Sequence, residues 1–152
     1  MSITTMIPPH ASPNVRLVTD FMRTIWTEAS PDVLERFVSA SFVDHAYIPA
    51  DQTGHATMVR IFAGAFSQAE HTIEQCTEQD DIVVIRLKIT ALHSGQFRDI
   101  AATGNAVEVT QYRTFRIVEG QIAEHWALFD TASLLRQLQP TVIVAGACAI
   151  KQ

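Results

Sequence analysis

Five residues capable of chemistry crowd into one stretch of the chain, VEVTQYRTFRIVEGQIAEHWALFDTASLLRQL, from Val107 to Leu138. His125 titrates near neutrality, so inside a cavity it can take or give a proton; otherwise it is a structural histidine bonded to backbone or to Glu124. Asp130 can abstract a proton or orient His125, and it can equally cap a helix starting at Thr131. Gln111 and Arg113 alternate along one strand and so share a face, where they could hold a carbonyl or enolate oxygen. If that face does not line a cavity, Arg113 pairs with Glu124 across the hairpin instead. His45, beside Asp44, is either a second acid/base group or structural. Trp126, Phe129, Phe97, Phe62 and Met58 offer apolar walls for a substrate, or plain core.

The remaining histidines carry less promise. His10 lies in a leading arm, and His55 and His71 lie near the starts of elements. None shows the spacing of a metal-ligand set, so no metal site is expected. There is no nucleophile elbow or phosphate loop either, and no cofactor is expected. Cys76 and Cys148 have neither zinc nor redox spacing.

The elements that must position these groups follow from periodicity and punctuation. Glu119-Gly120 forms a two-residue turn between two long strands. Counting back from it pairs Trp126 with Arg113, Leu128 with Gln111 and Asp130 with Val109, and leaves His125 beside Thr114 on the opposite face. A one-residue bulge would exchange those faces. Upstream, Ser12-Pro13 starts a helix whose buried face is Val15, Val18, Phe21, Met22, Ile25 and Trp26. Ser30-Pro31 starts a second, with Val33, Leu34, Phe37 and Val38 inward. Ser41 to Tyr47 reads as a short strand, and a third helix carries Met58, Ile61, Phe62, Ala65 and Phe66. Strands over His71–Glu78 and Ile82–His93 join at Asp80-Asp81, and Ser94 to Asn105 is a loop. The last helix runs from about Thr131 to Gln139 and stops at Pro140.

This order predicts a single α+β domain over 13–139, an antiparallel sheet bent around three N-terminal helices with a short helix after the last hairpin. Residues 1–12 read as a flexible arm. The apolar, β-prone tail 140–152 is expected to be covered, as an extra strand or as a contact to a second subunit. A hydrophobic fraction of 47% and a charged fraction of 18% are those of a folded soluble protein. A formal net charge of -5 without a basic cluster argues against nucleic acid as a partner. No apolar run is long enough to span a membrane, and the start lacks signal-peptide character, so a cytoplasmic location is expected.

The run F-R-I-V-E-G-Q-I-A-E-H-W, then Asp130, then S-L-L-R-Q-L, resembles the SnoaL-like polyketide cyclases and predicted ester cyclases. The resemblance reaches back through Thr103-Gly104, Gly95-Gln96-Phe97 and Phe42-Val43-Asp44-His45, and covers Asn14 to Leu138. It implies an NTF2-like, cystatin-type cone, a pocket for a small hydrophobic ligand, and a homodimer paired through the sheet. It also implies an aspartate that moves protons in an intramolecular aldol closure, without metal or organic cofactor. That aspartate's position falls at Ala127, and the family's Gln–His pair on the preceding strand falls at Gln111 and Arg113. The family's fold hosts many chemistries. Three readings therefore stand: a cofactor-independent cyclase, isomerase or lyase; a ligand-binding module; and a dimeric interaction domain.

Overall fold

The computed structural model describes residues 10–139; residues 1–9 of the arm and the whole tail 140–152 lie outside the described residues. Ser12 caps α1 (Pro13–Phe21) by accepting from the Val15 amide at 3.2 Å. The helix continues as a π-helical turn, Met22–Thr27, closed by Glu28 N donating to Arg23 O at 2.8 Å. That wider turn changes the side-chain phase and brings both Trp26 and Thr27 inward, where a regular helix would separate them less favourably. Val18, Phe21, Met22 and Ile25 form the buried stripe, at the spacing of one helix face. A short 3₁₀ segment, Pro31–Arg36, leads into β1 (Val38–Asp44). The second predicted helix is therefore this single tight segment, and Val38 belongs to the strand.

α2 spans Gln52–Ala65, with Asp51 as its cap accepting from Gly54 N at 3.1 Å. Gly54 lies so close to Pro49 that a Cβ would sit 1.9 Å from the Pro49 carbonyl oxygen, so only glycine lets the first turn of α2 seat there. Four strands follow: β2 (Phe66–Gln79), β3 (Ile82–His93), β4 (Ala106–Val118) and β5 (Gln121–Phe129), then α3 (Thr131–Gln137). β2 begins five residues earlier than its periodicity suggests, which places His71 in mid-strand.

The five strands form one curved sheet in the order β1-β5-β4-β3-β2. β2 to β5 are an antiparallel meander, whereas β1 joins the edge parallel to β5. The inner face buries Val83, Ile85, Leu87, Ile89, Phe115 and Ile117 against α1 and α2. A second apolar group, including Phe66, Val107, Val109, Leu134 and Leu138, closes the end beneath α3. The outer face carries charge together with the exposed Tyr112, Trp126 and Leu128. No helix among the described residues is long and apolar enough to cross a membrane.

One departure from simple counting determines the site. β4 pairs Ile117 with Ile122 but Arg116 with Glu124, so Ala123 is an extra residue in β5. Ile122 and Ala123 are both buried in succession, as a bulge requires. Beyond it every facing reverses. Phe115 lies opposite His125, Thr114 opposite Trp126, and Arg113 opposite Ala127. The expected pairing of Trp126 with Arg113 is thus one residue off, and His125 joins Arg113 and Gln111 on the inner face.

Candidate functional site

β1 brings a carboxylate into the cone by alternation. Phe42 and Asp44 point inward while Val43 and His45 point out, and Asp44 lies beside His125 in the parallel register. Two histidines converge on Asp44. His55 Nδ1 lies 2.7 Å from one carboxylate oxygen, and His125 Nδ1 lies 3.0 Å from the other. The Ala46 amide adds a third donor at 2.9 Å. At the far side of each ring a donor approaches: Trp26 Nε1 at 3.0 Å from His55 Nε2, and Arg113 Nη1 at 3.4 Å from His125 Nε2. This fixes both tautomers, because each Nε2 must accept and each Nδ1 must therefore donate to Asp44. Burial pulls the Asp44 carboxyl upward, but hydrogen bonds from His125 and then His55 outweigh it and hold the group well below the usual carboxylate range. Burial pushes His125 down to about 3 and lowers His55; the Asp44 bonds oppose that shift, and the Arg113 charge reinforces it. The result is an ionised aspartate between two neutral imidazoles.

Asp44, His55 and His125 also bring potential ligand atoms within 4.8 Å of one another. Their donor set does not suit a cation, because both Nδ1 atoms carry hydrogens bound to Asp44 and both Nε2 lone pairs are already engaged. The neighbouring guanidinium would also repel a metal.

Arg113 is the hinge between this relay and open space. Its Nε donates to Gln111 Oε1 at 3.0 Å, and its guanidinium carbon lies 4.1 Å from the centre of the Trp26 ring. It borders a cavity of about 430 Å³, within the range of small-molecule sites. Trp26, Met58, Ile61, Phe62, Ile89, Phe97, Phe129 and Leu134 supply the apolar wall. Gln111, Arg113, Tyr47, His71, Thr131 and Arg98 supply the polar part. Tyr47 is raised by burial, which keeps it a phenol, while hydrogen bonds from Gln111 and Arg113 act the other way. The loop carrying Phe97 and Arg98 is anchored where Ser94 N and Gly95 N both donate to Ala65 O at 3.0 Å. A Cβ on Gly95 would meet Gly64 O at 2.0 Å, so glycine is required for this approach.

Of the groups singled out from the sequence, Gln111, Arg113, Phe129, Phe62, Met58 and Phe97 lie in the cavity wall. Four others lie elsewhere. His45 is on the outer face, bonded to Glu124 at 3.1 Å and stacked on Trp126 at 4.7 Å between ring centres. Trp126 follows it outward because of the β5 bulge. Asp130 accepts from Ser133 N at 3.1 Å as the cap of α3 and borders a separate groove beside Tyr112 and Leu128. His125 is fully buried behind Arg113 and is not part of the wall. Arg113 does not pair with Glu124, which bonds Arg116 instead. Asp44 and Tyr47 are not among the sequence candidates, and His55 and His71, set aside there as lying near the starts of elements, belong to the site and its wall. For Asp44, alternation from Phe42 carried the signal.

The chain belongs to the SnoaL-like polyketide cyclase family, whose family model matches residues 16–138. The fold is the NTF2-like cone of that family. Among solved structures it is similar to TsrD from Streptomyces laurentii, with 21% identity and a TM-score of 0.75 over 84% of this chain and 96% of that one. It is also similar to AclR from Streptomyces galilaeus, a candidate hydroxylase, with 20% identity and a TM-score of 0.74 over 82% and 94%. A SnoaL-like polyketide cyclase from Agrobacterium tumefaciens gives 16% identity and a TM-score of 0.70 over 85% and 100%. At these identities the likeness is one of fold. No curated protein matches the sequence.

Proposed function

We propose that the protein is a cofactor-independent, cyclase-type enzyme that isomerises a small apolar carbonyl compound by acid/base chemistry inside the cone. The observation that carries this reading is the placement of Arg113. A buried guanidinium normally sits against its counter-ion. Here the balancing carboxylate, Asp44, lies one imidazole away, on the far side of His125. The positive field is thus directed at the cavity, where an oxygen gaining negative charge would receive it without displacing a salt bridge. Gln111 and Tyr47 flank the same point, and their dipoles are fixed before any substrate arrives. Asp44 and His125 act as positioning residues that hold Arg113 in place. Family membership and the cyclases among the structural neighbours support the reaction class.

Aromatic 1,3-diketones and β-ketoesters are suitable test compounds, with isomeric products followed by chromatography. Saturable conversion is expected, and Tyr47→Phe should lower kcat by about 10- to 100-fold while leaving Tm within a few degrees. Ligands that raise Tm without any isomerised product would move the reading to a binding module.

A further inference from the structure

Among the described residues, three buried side-chain atoms have no hydrogen-bond partner: Ser39 Oγ, His71 Nε2 and His93 Nε2. Of these residues, only His71 borders the cavity. We infer that His71 is the residue that moves the proton in this cavity, its Nε2 taking hydrogen from a substrate carbon whose neighbouring carbonyl oxygen lies against Arg113 and Gln111. This inference rests on the acid/base reading above and assigns the base that reading requires.

Chemistry around the cavity leaves few alternatives. Ala127, opposite Arg113, lines the wall and cannot carry a proton. No aspartate or glutamate lines the cavity among the described residues. The Tyr47 phenol, raised by burial, keeps its proton, and a guanidinium carries donors and no acceptor. His71 alone has a lone pair that neutral water does not already protonate, since burial and then the Arg113 charge push it down to about 3.

The remaining geometry suits a base. An unpartnered buried nitrogen costs about 1–3 kcal/mol, a cost that phenylalanine or leucine would avoid among neighbours such as Phe62 and Ile89. The other nitrogen is held: His71 Nδ1 lies 3.0 Å from Thr27 Oγ1, on the π-helical turn. A hydroxyl donates or accepts by rotating. Thr27 can therefore serve His71 in either tautomer, and Nε2 can act as base and then as acid without the ring turning over. Position on the sheet sets the reach. His71 pairs with Ile89 and Ile89 with Val109, two residues before Gln111. Backbone to backbone this is about 10 Å across and 7 Å along a flat sheet, and curvature folds both side chains over one cavity.

In the step, a C–H bond beside the carbonyl breaks and its proton goes to Nε2. The electron pair becomes the enolate, with the negative oxygen at Arg113. That charge offsets the guanidinium's repulsion of the new imidazolium, so base strength rises only as the enolate forms. The proton then returns to carbon, or to the oxygen of a second carbonyl that the enolate has attacked. No oxidant or reductant is consumed.

The test is α-hydrogen exchange of 2-tetralone in D₂O, followed by proton NMR with the full chain. Wild type should exchange it saturably. His71→Gln should lose about 100-fold or more while binding 2-tetralone within about threefold, because glutamine keeps a polar contact but takes no proton. Adding Ala127→Asp to that variant should restore at least about tenfold, a rescue that a structural role for His71 would not give. If His71→Gln fails to fold, Thr27→Val, which leaves the ring but frees Nδ1, should still slow exchange by about tenfold. Saturable wild-type exchange that persists within about threefold in the folded His71→Gln, or in Thr27→Val if that variant must stand in, would overturn the assignment and leave the acid/base reading intact. Absence of any wild-type exchange, with 2-tetralone and again with 2-indanone, would sink both.

Discussion

His125 and His71 are both fully buried, and both are pushed down to about 3. They differ in what their nitrogens touch. His125 is held at both ends, by Asp44 and Arg113, and has nothing left to offer a ligand. His71 is held at one end and open at the other. Burial and a shifted pKa therefore do not separate a supporting residue from a reacting one; unused hydrogen-bonding capacity beside a cavity does. The relay around Asp44 is a rigid back wall, whereas His71 stands in the wall that a ligand would meet.

The strongest way to break this comparison is to remove the relay's centre. Asp44→Ala strips an acceptor from His55, His125 and the Ala46 amide together, and it leaves Arg113 without its balancing charge. A loss of about 3–5 kcal/mol is expected, the range for breaking a buried ion pair on one side, read from urea unfolding. A loss below about 1 kcal/mol would mean that the relay does not support the wall.

Acidification should act on both histidines at once. Below about pH 6.5 the unfolded chain binds a proton at each, whereas the folded protein refuses them until about 3. The unfolded state therefore holds more protons across this window, and stability falls as pH falls. Each histidine contributes up to about 1.4 kcal/mol per pH unit. His55, also lowered, acts in the same direction. Asp44, depressed below its ordinary value near 3.8, adds a further loss only as pH drops beneath that value. Replacing His71 by glutamine should reduce the slope of unfolding free energy between pH 6 and 4.5 by about one proton. An unchanged slope would show that His71 is not buried neutral and would remove the parallel with His125.

The strand and helix periodicities were sufficient to read α+β, the meander and the hairpin, because those are local signals. Two facts that decide the site are not local. The extra residue at Ala123 arises where β5 must fit both β4 and the edge strand β1, and no turn residue announces it. Its trace, the apolar pair Ile122-Ala123, is masked in a strand whose later residues, Trp126-Ala127-Leu128-Phe129, form an apolar run of their own. Asp44 meets His125 through a parallel pairing between segments 81 positions apart. His71 was more accessible to reasoning, since it shares alternation with Ile73 and must face inward with it. Its position near a presumed strand start obscured that parity.

The smallest predicted effect tests the residue that spacing made attractive and geometry moved away. Asp130 follows β5, between the cavity-lining Phe129 and Thr131, but its carboxylate turns toward the Ser133 amide at the start of α3. Asp130→Ala removes one cap and should cost about 1 kcal/mol, visible as a modest drop in Tm. It should leave 2-tetralone exchange within about twofold, because the Asp130 side chain borders the other groove and α3 keeps its packing through Leu134. Asp130→Asn, whose side-chain oxygen still accepts, should recover most of the stability. A loss of exchange in Asp130→Asn with unchanged Tm would reverse the ranking, since only an ionisable group at 130 would then explain it.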